Sequence, residues 1–336
     1  MPQTNRQILL KSRPMGEPAA DNFDLVEKPR PVPADGQALC RTIYLSLDPY
    51  MRGRMNAGKS YAQPLNVGEP MCGGTVGQVV ESRDGSFAAG DFVLGYGGWQ
   101  EFWVQSAGHL HKLDPAKAPL SYALGVLGMP GMTAYVAMLD IGKPKAGETV
   151  VVSAAAGAVG SVAGQIAKIV GCRVVGIAGS PVKCEHVVKN LGFDACIDYK
   201  TEPLLGRLRK HCPAGIDVYL DNVGGTTLET VLRQINIGAR IPLVGMISQY
   251  NATELTPGPN LMPLLVKRAG IQGMIVDDHK DRRDAFLRDV SGWLAAGKIK
   301  YRETIVAGLE NAPAAFIGLF HGENIGKLIV KVGPEK

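Results

Sequence analysis

Cysteine is scarce in this chain, and its spacing is poor for metal binding. The 336 residues include six cysteines, and none forms a C-x-x-C pair. A structural zinc site needs four closely disposed Cys or His ligands, so we expect no metal centre. His109 and His111 would share one face of a strand. Because no ligand cluster surrounds them in the sequence, we interpret both as surface histidines.

Charge is neither abundant nor concentrated. Charged residues make up 20% of the chain, aromatic residues 6%, and the formal net charge is +5, with no block of Lys or Arg. A nucleic-acid-binding surface has a dense basic stripe, often with interleaved aromatic side chains. We therefore expect no nucleic-acid partner.

No hydrophobic run is long and uninterrupted enough to predict a membrane span. Residues 118–139 and 149–167 lack charge, but each is broken by several glycines. Buried strands and helices account for both segments better than a transmembrane helix does. No apolar signal segment follows the first residues. The expectation is a soluble, cytoplasmic protein with no membrane partner.

The length of the chain and the pattern of its predicted strands and helices indicate two domains. A single core tends to split above roughly 250–300 residues, and this chain has 336. Short strands separated by glycine-rich turns are predicted at residues 37–47, 75–81, 91–96 and 101–105. This pattern indicates a barrel-like antiparallel domain.

After about residue 120, predicted strands and helices alternate. The strands are residues 148–154, 173–178, 196–199, 218–221 and 240–244, and the helices are residues 160–170 and 182–191. Such alternation predicts an α/β fold with a doubly wound parallel sheet. A last strand, residues 326–332, is expected to return to the first domain. The predicted domains are thus residues 1–120 with 301–336, and residues 121–300.

The strongest local signal is a glycine-rich turn between a predicted strand and a predicted helix. Residues 150–160 form a dinucleotide-binding fingerprint with Ala155 in the first glycine position. Gly157 would let the backbone approach a pyrophosphate, and Gly160 would let the helix pack on the strand. The first N–H groups of the helix would then face the phosphates.

The end of the next strand favours NADP over NAD. An NAD site places Asp or Glu about 20 residues past the fingerprint, where it accepts the ribose 2′-hydroxyl. Here no Asp or Glu occurs between the end of this strand and Glu185, whereas Ser180 and Lys183 can donate to a 2′-phosphate. We expect NADP (NADPH) as the cofactor. The alternative is that Lys183 only lines a solvated helix face.

Further motifs cover nearly the whole chain. They are residues 48–52, 129–135, 154–164, 179–183, 192–200, 221–225, 245–251 and 322–327. These segments resemble the zinc-independent medium-chain dehydrogenases/reductases, in the branch of prostaglandin reductase and leukotriene 12-hydroxydehydrogenase. Bacterial curcumin reductases and plant alkenal double-bond reductases belong to the same branch.

The resemblance implies a GroES-like β-rich catalytic domain and a Rossmann NADP-binding domain. It implies that Gly157, Ala158, Val159 and Gly160 hold the pyrophosphate, and that Lys183 and Tyr199 meet the 2′-phosphate. The remaining cofactor-binding residues that it implies are Asn222, Val244, Gly245, Met246, Ile247, Ser248, Gln249, Tyr250, Met274, Ile275, Val276 and Asn324. A homodimer is expected because this family commonly forms one.

Without a metal, the substrate must stabilise its own developing charge. An α,β-unsaturated ketone or aldehyde does so, because hydride addition at its β carbon moves negative charge onto the carbonyl oxygen. A tyrosine hydroxyl or the cofactor ribose can donate to that oxygen. Tyr50 and Tyr250 lie in motifs that face the cleft in the resembled family, and Tyr61 is a third candidate. Each could instead be a half-buried tyrosine with a satisfied hydroxyl.

Other functions stay open at this point. A quinone reductase of the same superfamily would use the same hydride addition, although Asp48-Pro49-Tyr50 differs from its usual Asn-Pro-x-Asp segment. The reverse reaction, NADP-dependent oxidation of an alcohol, fits the branch as well. A cofactor-binding protein with an RNA-binding or structural role is disfavoured by the missing basic stripe.

Overall fold

The computed structural model describes residues 3–254 and 257–335. The strands are β1 (Thr4–Leu10), β2 (Phe23–Pro29), β3 (Gln37–Ser46), β4 (Thr75–Ser82), β5 (Phe92–Gly95), β6 (Phe102–Ser106), β7 (His111–Leu113), β8 (Thr149–Ser153), β9 (Arg173–Ala178), β10 (Ala195–Asp198), β11 (Ile216–Leu220), β12 (Ile235–Leu243), β13 (Gly270–Gly273), β14 (Glu303–Ala307) and β15 (Lys327–Lys331). The α-helices are α1 (Tyr50–Arg54), α2 (Met129–Val136), α3 (Ala158–Val170), α4 (Pro181–Glu185), α5 (Leu204–His211), α6 (Gly225–Leu232), α7 (Met262–Lys267), α8 (Arg283–Ala295) and α9 (Ala312–His321).

The chain divides into two compact units. The first comprises Met1–Leu124, Glu303–Asn324 and Leu328–Lys336, and the second comprises Gly125–Arg302 and Ile325–Lys327. Each unit has its own sheet, as expected for a chain longer than one core can serve.

The first unit is built on an antiparallel sheet. Its strand order is β14-β15-β3-β4-β5-β7, with β6 also paired to β3, and β1 and β2 form a separate hairpin. The predicted tail strand is present as β15, which places Ile329 opposite Ser46 of β3. Phe23 stacks on Trp99 with ring centroids 5.7 Å apart, and Phe316 meets Trp99 edge-on at 5.6 Å. These three rings sit in the core of this unit.

The second unit contains a six-stranded parallel sheet in the order β10-β9-β8-β11-β12-β13. The predicted α/β fold, a β-rich unit with a parallel-sheet unit, is thereby confirmed. The five residues of β8, Thr-Val-Val-Val-Ser, are all buried, as is typical of a parallel strand that is covered on both faces. The strand order runs one way from β8 to β10 and the other way from β11 to β13. Ligands of such sheets bind at the carboxyl ends of the strands beside this switch point.

The structure adds to or departs from the sequence predictions at three places, one of them a strand that was not predicted. His109 ends a short 3-10 turn and His111 begins β7, so the two do not share a strand. The predicted helix at 182–191 is α only to Glu185 and continues as a π-helical turn, in which Leu191 N–H donates to His186 O. Strand β13 was missed because two of its four residues are glycine.

No helix of the described residues is long and apolar enough to cross a membrane.

Candidate active site

The turn between β8 and α3 has the form of an anion-binding loop. Gly157 is the N-cap of α3, and no side chain caps the helix there. The first helical bond runs from Ser161 N–H to Gly157 O at 3.0 Å. The amides of Ala158, Val159 and Gly160 therefore occupy the first turn, where N–H groups have no partner within the helix. They lie at the carboxyl edge of the sheet and can bind a phosphate.

Close packing explains the glycines and the alanine of this turn. A Cβ at Gly160 would lie 2.4 Å from Ala154 O, and one at Gly157 would lie 3.1 Å from the same atom. Ala155, which stands in the first glycine position, is accommodated by Gly176 of β9. A Cβ at Gly176 would lie 2.8 Å from Ala155 Cβ. The methyl group of the unusual alanine thus occupies space that the neighbouring strand leaves empty.

The carboxyl ends of β9 and β10 bring cationic and hydroxyl side chains together. Ser180 is the N-cap of α4, and its Oγ accepts from Lys183 N–H at 3.3 Å. A Cβ at Gly179 would lie 3.0 Å from the Tyr199 ring and 3.2 Å from Lys200 Cε. The structure therefore gathers Ser180, Lys183 and Tyr199 at one corner of the sheet.

Lys200 belongs to this corner and was missed as a site residue. The pKa of Lys183 is lowered by burial and, second, by the positive charge of Lys200. Two ammonium groups that repel each other are suited to an anion of two negative charges. The signal was available in the sequence, because Lys200 directly follows Tyr199 in a motif that carried the resemblance.

The loops after β11, β12 and β13 contact one another at the same edge of the sheet. Asn222 Nδ2 donates to Ser153 O at 2.7 Å, which fixes the β11 loop against the end of β8. Ser248 Oγ donates to Val223 O at 2.6 Å, and Ile247 N–H donates to Asn222 O at 3.2 Å. Met274 N–H donates to Leu243 O at 3.2 Å. The segment 244–250 thus lies beside the loop that begins at Asp221, and Met274 lies beside the end of β12.

Asp221 organises this loop and was also missed. Its Oδ1 accepts from the Tyr219 hydroxyl at 2.8 Å, Val223 N–H at 2.9 Å and Gly224 N–H at 3.0 Å. The carboxylate is fully buried. It holds the two backbone N–H groups that follow Asn222, and a carboxylate directly after a buried strand was the available signal.

The tail motif reaches the fingerprint turn within the second unit. Gly326 N–H donates to Ala156 O at 2.8 Å, and Gly326 forms a parallel bridge with Gly157. Its φ is 75°, and a Cβ there would lie 2.0 Å from Arg302 O, so this position requires glycine. Asn324, two residues earlier, belongs to the first unit.

Tyr250 follows the short 3-10 turn Ile247–Gln249 and is partly buried. Its hydroxyl oxygen accepts from Met246 N–H at 3.3 Å, which leaves the O–H hydrogen to donate. Burial raises the pKa of Tyr250. The hydroxyl therefore remains a hydrogen-bond donor at neutral pH.

Tyr50 opens α1 in the first unit, and its hydroxyl lies 2.9 Å from that of Tyr96. Burial, and then the charges of Tyr96 and Asp48, raise the pKa of Tyr50 well above its usual value. Tyr96 also hydrogen-bonds the Cys72 thiol, and burial raises the pKa of Tyr96 as well. Sequence reasoning missed Tyr96, which lies in a glycine-rich turn after β5. Tyr61 lies in the loop after α1 and is 61% exposed.

Two family models match the chain. The model described as "N-terminal domain of oxidoreductase" matches residues 6–113, and the model described as "Zinc-binding dehydrogenase" matches residues 158–291. The second description names zinc. In residues 3–254 and 257–335, no group of three or more His, Cys, Asp or Glu side chains is placed to hold a metal ion.

Curated relatives match over the full length. The NADPH-dependent curcumin reductase of Escherichia coli is 51% identical over 98% of this chain and 97% of its own length. The NADP-dependent 2-alkenal reductase of Nicotiana tabacum is 41% identical over 99% of this chain and 98% of its own. Prostaglandin reductase 1 of Bos taurus is 44% identical over 96% of this chain and 97% of its own.

A solved structure shows the same similarity. The crystal structure of CurA in complex with NADPH from Vibrio vulnificus is 52% identical to this chain. It covers 98% of this chain and 99% of CurA, with a TM-score of 0.94.

Proposed function

The chain belongs to the medium-chain dehydrogenase/reductase family, in the branch of curcumin, 2-alkenal and prostaglandin reductases, and from that premise we propose the reaction that it catalyses. It is an NADPH-dependent reductase of this family. The reaction we propose is reduction of the C=C bond of α,β-unsaturated ketones and aldehydes. The observation that carries this proposal is the half-buried Tyr250, whose hydroxyl oxygen accepts from Met246 N–H at 3.3 Å and keeps its own hydrogen to donate.

The residues at the carboxyl edge of the parallel sheet fit NADPH. The first-turn amides of α3 suit the pyrophosphate, and Gly160 provides the close packing that this turn needs. Lys183 and Lys200, with Ser180 and Tyr199, suit the 2′-phosphate. We assign the remaining contacts to Asn222, to residues 244–250 and 274–276, and to Asn324. When bound, NADPH supplies a hydride to the substrate.

The protein's part in the chemistry is to stabilise charge at the substrate oxygen. As the β carbon gains a hydride, negative charge builds on the carbonyl oxygen, and a tyrosine hydroxyl and the cofactor ribose donate hydrogen bonds to it. Tyr50 and Tyr250 are the leading candidates for that tyrosine. One preorganised donor of this kind contributes roughly 10²–10³ in turnover. Tyr96 holds the Tyr50 hydroxyl in place through their 2.9 Å contact. Tyr61 is a further candidate donor from its exposed loop, and water delivers the final proton to the α carbon.

We also propose a division of labour and an assembly. Residues 1–120 with 301–336 form the catalytic domain, and residues 121–300 form the cofactor domain.

The chain forms a homodimer through the open edge of the parallel sheet at β13. All four residues of β13 are exposed, and Leu265 and Val266 of the preceding helix expose 73% and 58% of their surface. An uncharged, proline-free edge beside exposed apolar residues is a surface suited to pairing.

The test is NADPH consumption with a panel of substrates and identification of each product. The panel contains an alkyl enone, an aryl enone, a 2-alkenal, a quinone and a saturated ketone. We expect the enones and the alkenal to react, with the C=C bond reduced, the carbonyl retained and, from deuterated NADPH, deuterium at the β carbon. Preference for the quinone would instead indicate a quinone reductase. Reduction of the saturated ketone would indicate carbonyl and alcohol chemistry.

A further inference from the structure

Two of the six cysteines differ from the rest. Cys40, Cys72, Cys172 and Cys212 are buried, whereas Cys184 and Cys196 are partly exposed. Cys184 lies in α4 and Cys196 lies in β10, two elements that pack against each other, and each thiol shifts the pKa of the other. Two partly exposed thiols on adjoining elements can be joined by a disulfide.

The shape of the sheet permits this contact. Cys196 pairs with Gly176 of β9, and a Cβ at Gly176 would lie 3.3 Å from Cys196 Sγ and 3.0 Å from Val187. The Cys196 side chain therefore lies on the face of the sheet that is covered by the turn following α4. Cys184, one turn earlier in the same segment, meets it there.

The two sulfurs are chemically unequal. The hydrogen bond from the Cys196 thiol lowers the pKa of Cys184, against burial and the negative charges of Asp198 and Glu202. The same contact, together with burial, raises the pKa of Cys196. Cys184 thus supplies the nucleophilic thiolate, and Cys196 supplies the second thiol.

We propose that Cys184 and Cys196 form a modification site that a peroxide oxidises to a disulfide. The Cys184 thiolate attacks one peroxide oxygen, so that an S–O bond forms, the O–O bond breaks and hydroxide or an alkoxide leaves. The Cys196 sulfur then attacks the Cys184 sulfenic acid, so that the S–S bond forms and water leaves. With hydrogen peroxide, two thiols and one peroxide become one disulfide and two waters, and two electrons pass from sulfur to oxygen.

The location of the pair connects this modification to cofactor binding. Cys184 directly follows Lys183, and Cys196 lies in the strand that leads into Tyr199 and Lys200. A covalent bond draws the two sulfurs closer than a hydrogen bond does, so α4 moves relative to β10. This consequence, unlike the disulfide itself, rests on the proposed 2′-phosphate site. Oxidation then weakens NADPH binding and leaves NADH binding nearly unchanged.

The experiment treats the reduced full-length protein with hydrogen peroxide, blocks the remaining thiols and maps peptides without reductant. We expect a peptide pair linked through Cys184 and Cys196, and a fall in free thiols from the six of the sequence by two. Cys184→Ser and Cys196→Ser should each abolish the linked peptide, whereas the matched control Cys172→Ser should retain it. Both thiols still free, or Cys184 found as sulfinic acid with Cys196 free, would overturn the proposal.

Kinetics of the same samples test the disulfide separately from the proposed 2′-phosphate site. The KM for NADPH should rise by about tenfold on oxidation, the equivalent of one charge-assisted hydrogen bond, and dithiothreitol should reverse the change. The serine variants should show no such change. A linked peptide with an unchanged KM for NADPH supports the dithiol site and counts against the assignment of Lys183 to the 2′-phosphate.

Discussion

At the scale of single residues, the proposed 2′-phosphate site brings together two cationic side chains, Lys183 and Lys200, whose charges repel each other. Burial and the neighbouring Lys200 both disfavour the charged form of Lys183. A dianionic phosphate placed between two ammonium groups would compensate both effects. Such unfavourable pairs are more informative about function than the ion pairs that cover the rest of the surface.

Replacing either lysine should change cofactor preference. We expect Lys183→Ala and Lys200→Ala each to raise the KM for NADPH by roughly tenfold or more, with little effect on the KM for NADH, because each removes a charge-assisted contact to the 2′-phosphate. The matched control is Lys189→Ala, since Lys189 follows α4 and pairs with Glu185 at 2.6 Å. Equal effects on both cofactors would remove the 2′-phosphate assignment.

The lowered pKa of Lys183 also predicts a pH dependence. The ammonium group is fully present below its pKa and is lost as pH rises through it, and this loss comes at a lower pH than for an ordinary lysine. The KM for NADPH should therefore rise on the alkaline side, while the KM for NADH stays level. Lys183→Arg keeps its charge over this range and should flatten the profile. A profile that survives in Lys183→Arg would assign the titration to another group.

Loss of a tyrosine hydroxyl should affect turnover more than cofactor binding. We expect Tyr250→Phe to lower kcat on small enones roughly 10²–10³-fold, with the KM for NADPH nearly unchanged, because only the donor hydroxyl is lost. Tyr50→Phe should act in the same direction. Circular dichroism and the melting temperature monitor folding in both variants. Unchanged kcat in Tyr250→Phe would reduce Tyr250 to a packing residue.

At the scale of elements, the β8–α3 turn and β9 are fitted to each other. Ala155 occupies space that Gly176 leaves open, with 2.8 Å between its Cβ and a Cβ built at Gly176. Gly176→Ala should destabilise the protein by about 1–3 kcal/mol through overpacking. Ala155→Gly in the same chain should restore part of this loss, since Val187 and Cys196 also crowd the position. Denaturant unfolding of the two single variants and the double variant measures the coupling, and strict additivity would contradict the fit.

The same elements show what the sequence could and could not predict. The strand–turn–helix at 149–170 was predicted, because its apolar run and its glycines are local signals. Tyr96 was not, because its role comes from a long-range contact with Tyr50. Lys200 was passed over although it directly follows Tyr199 in a motif that carried the resemblance. The close packing of Ala155 against Gly176 could not be predicted from the sequence either, since only the folded chain brings the two residues together. Local pattern and the resemblance thus located the fingerprint and named Ser180, Lys183 and Tyr199, whereas Tyr96 and the fit of Ala155 against Gly176 became apparent only in the folded chain.

At the scale of the whole molecule, the open edge of the parallel sheet is the feature that a monomer leaves unexplained. Strand β13 ends the sheet, all its residues are exposed, and its sequence Gly-Ile-Gln-Gly has none of the lysines or prolines that protect edge strands. Beside it, Leu261, Met262, Leu265 and Val266 each expose more than half of their surface. Several exposed apolar side chains near an unprotected strand edge are a surface that a partner can cover.

A homodimer that pairs at this edge predicts a specific response to charge. Ile271→Lys and Leu265→Lys should each convert the protein from dimer to monomer, since a lysine repeated across a two-fold axis brings like charges together. Light scattering and sedimentation over a range of concentrations measure the mass. Ile305→Lys is the matched control, because Ile305 lies in the edge strand β14 of the other sheet and is 49% exposed. A parent protein that is already monomeric would contradict the homodimer. Dissociation by Ile305→Lys alone would place the interface elsewhere.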